Sequence, residues 1–165
     1  MRRTLTQAAL VVLLVCGSLG ARGADAPADA AITQVLDREA EAFRKGDLAG
    51  VSACWETEDT SSVIESGHAN WGWVDYRDHH LKHELAGMKI TDHKRTNLRI
   101  VAGADMALVT FEFRLQGTYK ERAFDMSGME SVVLRRRDGV WRIVHVHASA
   151  PPRKPVASGK NEQKQ

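Results

Sequence analysis

Five acidic or imidazole side chains in this sequence are candidates for general acid–base chemistry. Such chemistry needs a carboxyl or imidazole group beside an apolar pocket, where desolvation moves the pKa of the group toward the working pH. Tyr76 is a further candidate, as a hydrogen-bond donor to an oxygen atom that develops negative charge. The five candidates come from one predicted helix and three predicted strands: Asp75, Glu112, Glu130, His145 and His147.

The spacing of these residues predicts that some of them form a cluster. Tyr76 and His80 are four residues apart on a predicted helix, so they can point the same way. Glu130 lies on a strand that should neighbour the strand of His145, because an Asp-Gly turn joins the two. The sequence therefore predicts Tyr76, Glu130 and His145 as candidate catalytic residues. It also allows a buried polar network that only stabilises the fold.

The seven histidines raise the question of a metal site. His79 and His83 are four residues apart on a predicted helix, as are His80 and Glu84, and this separation suits two ligands of one metal ion. The sequence contains no HExxH or CxxC motif, and pairs at helical spacing are common by chance. We therefore expect no metal and no cofactor, with the histidines either solvated or hydrogen-bonded in a polar cavity.

Aromatic side chains are concentrated in the predicted helices and strands, and they have two interpretations. They could line a pocket for a planar ligand, or they could form the core that three helices on a sheet must bury. We expect the core for Phe111, Phe113 and Trp141, and leave open a pocket rim or a subunit contact for Trp71, which lies in a predicted loop.

Apolar residues recur at helical spacing in the first part of the chain and mostly alternate with polar residues in the second part. Apolar residues at helical spacing predict helices over 31–45, 48–55 and 73–88, with Glu39 on the polar side of the first. Alternating residues predict strands over 62–65, 89–102, 106–116, 122–136 and 140–149. Helices followed by an antiparallel meander indicate an α+β domain over residues 30–150.

The two ends of the chain differ from this domain. Arg2 and Arg3 precede a short apolar run and small residues, which predicts a signal peptide over residues 1–23 and a periplasmic or secreted protein. Lipidation of Cys16 is a second interpretation of this segment. Residues 151–165 are polar and basic and predict a disordered tail. Between the ends acidic residues outnumber basic ones, so we expect no nucleic-acid partner, and no membrane contact after cleavage.

Two stretches near the end of the domain carry a resemblance to a known superfamily. The run from Arg136 to Trp141, with its Arg-Arg-Asp-Gly-x-Trp pattern, and the strand Val144–Pro151, with Val-His-x-His, resemble the association domain of calcium/calmodulin-dependent protein kinase II. Both this domain and the SnoaL-like family belong to the nuclear transport factor 2-like superfamily. The resemblance implies a cone, in which three N-terminal helices pack on a strongly curved, mostly antiparallel sheet around a pocket.

The resemblance also implies what such a cone does. It suggests an exported SnoaL-like domain that binds a small organic ligand, serves as a dimerisation module and so forms a homodimer, or does both. The alternative is a cofactor-independent isomerase, dehydratase or cyclase of the ketosteroid isomerase or SnoaL type. The predicted ligand-binding residues combine this resemblance with the spacing arguments above: Trp73, Tyr76, His80, Arg114, Glu130, His145 and His147.

Overall fold

The computed structural model describes residues 26–151 of the chain. The predicted signal peptide, Cys16 and the predicted tail beyond its first residue lie outside the described residues. Within the described range, helices come first and long strands follow, as predicted.

Two helices begin the domain and meet at a sharp corner. Helix α1 (Ala26–Lys45) buries Ile32, Val35 and Leu36 on one face, and it starts earlier than predicted. It ends at Lys45, and the next residue, Gly46, has a φ of 70°, which glycine adopts without strain. Asp47 then caps helix α2 (Leu48–Cys54), because its Oδ1 accepts a hydrogen bond from the Gly50 amide at 2.9 Å.

The predicted third helix is a composite of three segments. Helix α3 (Trp73–Tyr76) passes into a π-helical segment (Arg77–Leu81) and then into α4 (Lys82–Gly87). A π-turn contains one residue more than an α-turn, so it changes the direction in which the side chains after it point. His80 lies inside this widened turn, a feature that the apolar periodicity did not predict.

Within residues 26–151 six strands form one sheet, in the order β2-β1-β6-β5-β4-β3. All neighbouring pairs are antiparallel except β1 and β6, which are parallel. The segment predicted as a loop between Gly67 and Gly72 contains strand β2 instead. The strands are β1 (Ser62–Glu65), β2 (His68–Trp71), β3 (Met88–Ala102), β4 (Met106–Tyr119), β5 (Arg122–Arg137) and β6 (Val140–Ser149).

The helices pack on the concave face of this curved sheet, so the predicted α+β cone is confirmed. The long strands alternate between a buried inner face and an exposed outer face, most clearly in β4. Gly117 on β4 allows β3 to approach closely, since a Cβ atom there would collide with the Lys89 carbonyl. The predicted core residues Phe111, Phe113 and Trp141 are all buried.

A β-bulge in β6 decides where its histidines point. Val133 pairs with His145 and Leu134 pairs with Ile143, so Val144 is an extra residue on β6. Because side chains alternate along a strand, one extra residue reverses the faces of those that follow. Regular alternation along the predicted strand would place His145 and His147 on the face of Trp141 and Ile143, but the extra residue puts them on the opposite face.

Candidate functional site

A cavity of about 130 Å³ lies between the helices and the inner face of the sheet. An apolar cavity of roughly 150 Å³ is large enough for benzene, so this one suits a ligand of similar size. Its wall is mostly apolar, with contributions from Leu36, Phe43, Val63, Phe111, Val132 and Val146.

Glu39 and Glu130 are two of the four glutamates that line this cavity. Glu39 projects from α1 and Glu130 from β5, and both line the cavity. Burial raises the pKa of Glu39 to about 7, although the Arg95 charge and the Trp55 indole act in the opposite direction. Burial also raises the pKa of Glu130 to about 8, and the negative charges of Glu39 and Glu65 add to this effect. Both groups therefore exchange protons near neutral pH.

Two other side chains of the cavity, Tyr76 and Trp55, are hydrogen-bond donors. Burial and the neighbouring glutamates raise the pKa of Tyr76 well above its ordinary value, so its hydroxyl keeps its proton. The Trp55 indole N–H is buried and close enough to Glu39 to favour the ionised carboxylate, yet it makes no hydrogen bond of normal geometry with any described residue. A ligand with an acceptor atom would satisfy this donor.

Arg95 supplies a positive charge to the cavity, but much of that charge is already matched. Its Nη2 atom donates to Asp37 Oδ1 at 2.6 Å, and its guanidinium lies 5.6 Å from the centroid of the Phe111 ring. His93 also lines the cavity, and burial together with the Arg95 charge lowers its pKa, which favours the neutral imidazole.

The sequence of residues 32–153 matches the family model of the SnoaL-like domain. The chain belongs to the SnoaL-like domain family. No curated protein matches its sequence significantly. Within the part of the chain that the structure describes, no helix combines the length and apolarity needed to cross a bilayer.

Solved structures share the fold of this SnoaL-like domain. A nuclear transport factor 2-like protein from Salmonella enterica is 22% identical with a TM-score of 0.67, over 78% of this chain and 94% of that one. A candidate ketosteroid isomerase from Shewanella frigidimarina is 28% identical with a TM-score of 0.63, over 73% and 96%. A candidate calcium/calmodulin-dependent kinase II association domain from Exiguobacterium sibiricum is 9% identical with a TM-score of 0.66, over 77% and 95%.

The structure of the SnoaL-like domain brings together two of the three predicted catalytic residues. Tyr76 and Glu130 both line the cavity. His145 does not, because the bulge at Val144 turns it outward, where its Nδ1 lies 2.8 Å from Ser62 Oγ. The predicted cluster of Tyr76, Glu130 and His145 therefore does not form.

The other predicted ligand-binding residues lie around the cavity or away from it. Trp73 is buried behind the cavity wall, with its ring 5.5 Å from that of Trp55. His80 lies next to the cavity, with its ring 5.5 Å from that of Tyr76. Arg114 is on the outer face of the sheet, where it pairs with Asp125 at 2.6 Å, and His147 is exposed. A ligand-binding role for Arg114, His145 and His147 stays a prediction, and none of the three lines this cavity.

Two of the acid–base candidates also lie outside the cavity. Asp75 holds the start of the third helical region through hydrogen bonds from Asn70 Nδ2 and the Trp71 amide. Glu112 is exposed on the outer face of β4.

Several polar residues of the cavity were not predicted from the sequence, although the helical spacing of one of them, Glu39, indicates its position. Glu39 was placed on the polar side of the first helix, but it lies three residues after Leu36 and four before Phe43, which both face the cavity. A carboxyl at helical spacing between two core-facing residues must share their face. The sequence identifies Glu84 only through its four-residue spacing from His80, as one of a pair that suits a metal ion. The others come from separate segments with no local motif: Trp55, Glu65, His93 and Arg95.

Proposed function

We propose that this SnoaL-like domain binds a small, largely apolar organic molecule in its cavity, with the polar end of the molecule against Glu39, Glu130 and Tyr76. The observation that carries the proposal is an apolar cavity of about 130 Å³ in which two carboxyl groups have pKa values of about 7 and 8. A hydrogen bond to a group held in this way is stronger than the same bond in water, because the surrounding dielectric constant is low.

The charges of the cavity favour a neutral ligand. Between about pH 7 and 8 Glu39 is mostly ionised and accepts hydrogen bonds, whereas Glu130 is mostly protonated and donates one. Tyr76 adds a second donor. An anionic ligand would meet these carboxyl groups, and the Arg95 charge is partly matched by Asp37. A carbonyl or hydroxyl group on a small ring fits this arrangement better than a carboxylate does.

Titration of the protein with two ring compounds tests this binding. We expect 2-cyclohexenone to give saturable chemical-shift changes for amides around the cavity, with a Kd on the order of 0.1–1 mM for so small a molecule. Benzoate, of similar size but anionic, should give none. Tyr76→Phe should weaken binding of the ketone, since it removes only the hydroxyl. Changes confined to the outer face of the sheet, or tighter binding of benzoate, would contradict the proposal.

Acid–base catalysis of the isomerase type is the second candidate function, and the two raised pKa values favour it. The Glu39 carboxylate would accept a proton from a carbon next to the ligand carbonyl, while Tyr76 or protonated Glu130 would donate a hydrogen bond to the enolate oxygen. Return of the proton from Glu39 to another carbon would give the isomer, and the enzyme would end in its starting state. The fold shared with the candidate ketosteroid isomerase agrees with this chemistry.

Proton exchange measures this activity without knowledge of the natural substrate. We expect the protein to accelerate the exchange of the protons next to the carbonyl of a ring ketone with D2O. The rate should rise with pH as Glu39 ionises near 7 and fall as Glu130 loses its proton near 8, giving a bell-shaped profile. A profile that follows the uncatalysed hydroxide rate would exclude the catalytic role and leave binding intact.

We also propose that the protein is a homodimer that associates through the outer face of its sheet. Val101, Leu108 and Met129 expose between 44% and 70% of their surface there. Residues 101 and 108 are paired across β3 and β4, so the apolar surface is continuous. Light scattering after gel filtration should give twice the chain mass for the wild type and a monomer for Leu108→Asp. A wild-type monomer at high concentration would contradict the proposal.

Export remains a proposal that rests on the sequence of residues 1–23. The positive residues, the apolar run and the small residues there support a cleaved signal peptide. N-terminal sequencing of protein from a periplasmic or culture fraction tests it, and retention of Met1 in the cytoplasmic fraction would contradict it.

A further inference from the structure

Three side chains of metal-ligating type meet at one end of the cavity, although they come from separate elements. Glu65 lies on β1, His80 in the π-helical segment and Glu84 on α4, and one ligand atom from each lies within 4.8 Å of the others. His80 Nε2 is 3.4 Å from Glu84 Oε1 and 3.8 Å from Glu65 Oε2. Two ligands about 2.1 Å from a tetrahedral ion are roughly 3.4 Å apart, so small movements would complete a coordination shell.

A chain of hydrogen bonds fixes which nitrogen of His80 faces the two glutamates. Hydrogen bonds keep the pKa of Asp75 below its usual range, so its carboxylate can only accept. Asn70 must therefore present its amide NH2 to Asp75, at 3.1 Å, and its carbonyl oxygen to His80 Nδ1, at 2.9 Å. His80 Nδ1 is then the donor to Asn70, so Nε2 is the nitrogen that faces Glu65 and Glu84. The hydrogen bond to Glu84 and the charges of both glutamates raise the pKa of His80, which favours a proton on Nε2, and a metal ion would replace that proton. Metal-binding histidines are commonly held by such a second hydrogen bond.

The backbone and the charges at this place support a cation site independently. The π-helical segment Arg77–Leu81 brings His80 toward β1, and single π-turns occur frequently at functional sites. One carboxyl oxygen of Glu65 lies within 4.8 Å of one of Glu84, so the two carboxylates repel each other when both are ionised. A divalent cation between them would remove this repulsion.

We propose that Glu65, His80 and Glu84 form a binding site for one divalent transition-metal ion, of the zinc or cobalt type, at the rim of the cavity. The imidazole ligand favours these ions over magnesium and calcium, which prefer oxygen ligands alone. Glu65 and Glu84 also line the cavity. Three protein ligands leave a coordination position open, as in catalytic rather than structural sites. The metal would therefore place a Lewis acid within reach of a ligand bound in the cavity.

Metal titration of the full chain, produced without a histidine tag and dialysed against EDTA, tests this site. We expect one equivalent of Co²⁺ to produce visible absorption typical of low coordination number, and one equivalent of Zn²⁺ to displace it. Mg²⁺ should not compete. Loss of a supporting hydrogen bond typically costs roughly 10- to 100-fold in metal affinity, and His80→Gln, which removes a ligand, should cost more.

Matched variants separate this site from adventitious binding to surface histidines. His79→Gln changes a neighbouring histidine whose side chain is 75% exposed, and it should bind Co²⁺ as the wild type does. Glu84→Gln keeps the size of the ligand and should lose affinity, even if His80→Gln folds poorly. Equal Co²⁺ affinity in His79→Gln, His80→Gln and Glu84→Gln, or no saturable binding at one equivalent, would overturn the proposal.

Discussion

Strand β5 carries two acidic residues, five positions apart, whose pKa values are shifted in opposite directions. Asp125 is on the outer face, where hydrogen bonds from Arg114 and Gln116 lower its pKa to about 2. Glu130 is on the inner face, where burial without a matched cation raises its pKa to about 8. The same strand therefore holds one carboxylate that stays ionised and one carboxyl group that can give up or keep a proton near neutral pH.

This contrast shows which face of the sheet is suited to chemistry. On the outer face the Asp125 carboxylate is paired with Arg114 and solvated, so its pKa is far below the working pH. On the inner face desolvation places the proton affinity of Glu39 and Glu130 where general acids and bases operate. The alternation of side chains along one strand creates both environments.

The largest expected effect concerns the proposed acid–base catalysis by the inner face. Glu39→Gln removes the group expected to be ionised at neutral pH, and it should slow exchange of the protons next to a ketone carbonyl by about 10²- to 10⁴-fold. Glu112→Gln, on the exposed face of β4, is the control and should exchange at the wild-type rate. Equal rates for the two variants would show that the inner carboxyl has no special reactivity.

The next largest effect is on stability. Leu134 on β5 is fully buried, so Leu134→Ala should lower the free energy of unfolding by about 2–5 kcal/mol in urea denaturation. Leu98 on β3 is 40% exposed, so Leu98→Ala should cost clearly less. Similar costs for the two changes would mean that the inner face is not the core.

The pH dependence of stability should differ in sign between the two faces. The folded pKa of Glu130, about 8, is above its ordinary value of 4.5, so its contribution to stability is full below about pH 4.5 and is lost as pH rises toward 8. That loss is on the order of a few kcal/mol. Glu130→Gln should therefore lose less stability than the wild type over this range, as measured by urea denaturation at a series of pH values.

Asp125→Asn is the outer-face counterpart of that experiment. The folded pKa of Asp125, about 2, is below its ordinary value of 3.8, so its contribution is present above about pH 3.8 and is lost as pH falls toward 2. Because Arg114 and Asp125 are both exposed, we expect only a small effect, confined to acid pH. An effect of Asp125→Asn at pH 7 as large as that of Glu130→Gln would break the contrast between the faces.

Much of the fold could be predicted from sequence because it rests on local pattern. The helical spacing of apolar residues in α1 and their strict alternation in β4 indicate which of these residues are buried. The Asp-Gly turn indicates that β5 pairs with β6. Three features depend on contacts between distant segments instead: the extra residue Val144, the π-turn around His80 and the parallel pairing of β1 with β6. No local motif marks them.

The candidate site was harder to predict for the same reason. Tyr76 and Glu130 could be selected by residue type and position, and they line the cavity. His145 was misplaced by a single bulge residue, which moved it to the opposite face of the sheet. Glu39 was missed because its charge was taken as a sign of solvation, although its spacing with Leu36 and Phe43 places it on the buried face of α1.

The proposed roles of the cavity depend most on the pKa values of Glu39 and Glu130, and carbon-13 NMR of the glutamate side-chain carboxyl groups measures these values directly. Assignment would come from Glu39→Gln and Glu130→Gln, each of which removes one titrating signal. We predict two carboxyl signals that titrate near pH 7 and 8. If both titrated below about pH 5, as exposed glutamates do, the inner face would hold ordinary solvated carboxylates and the proposed site would be contradicted.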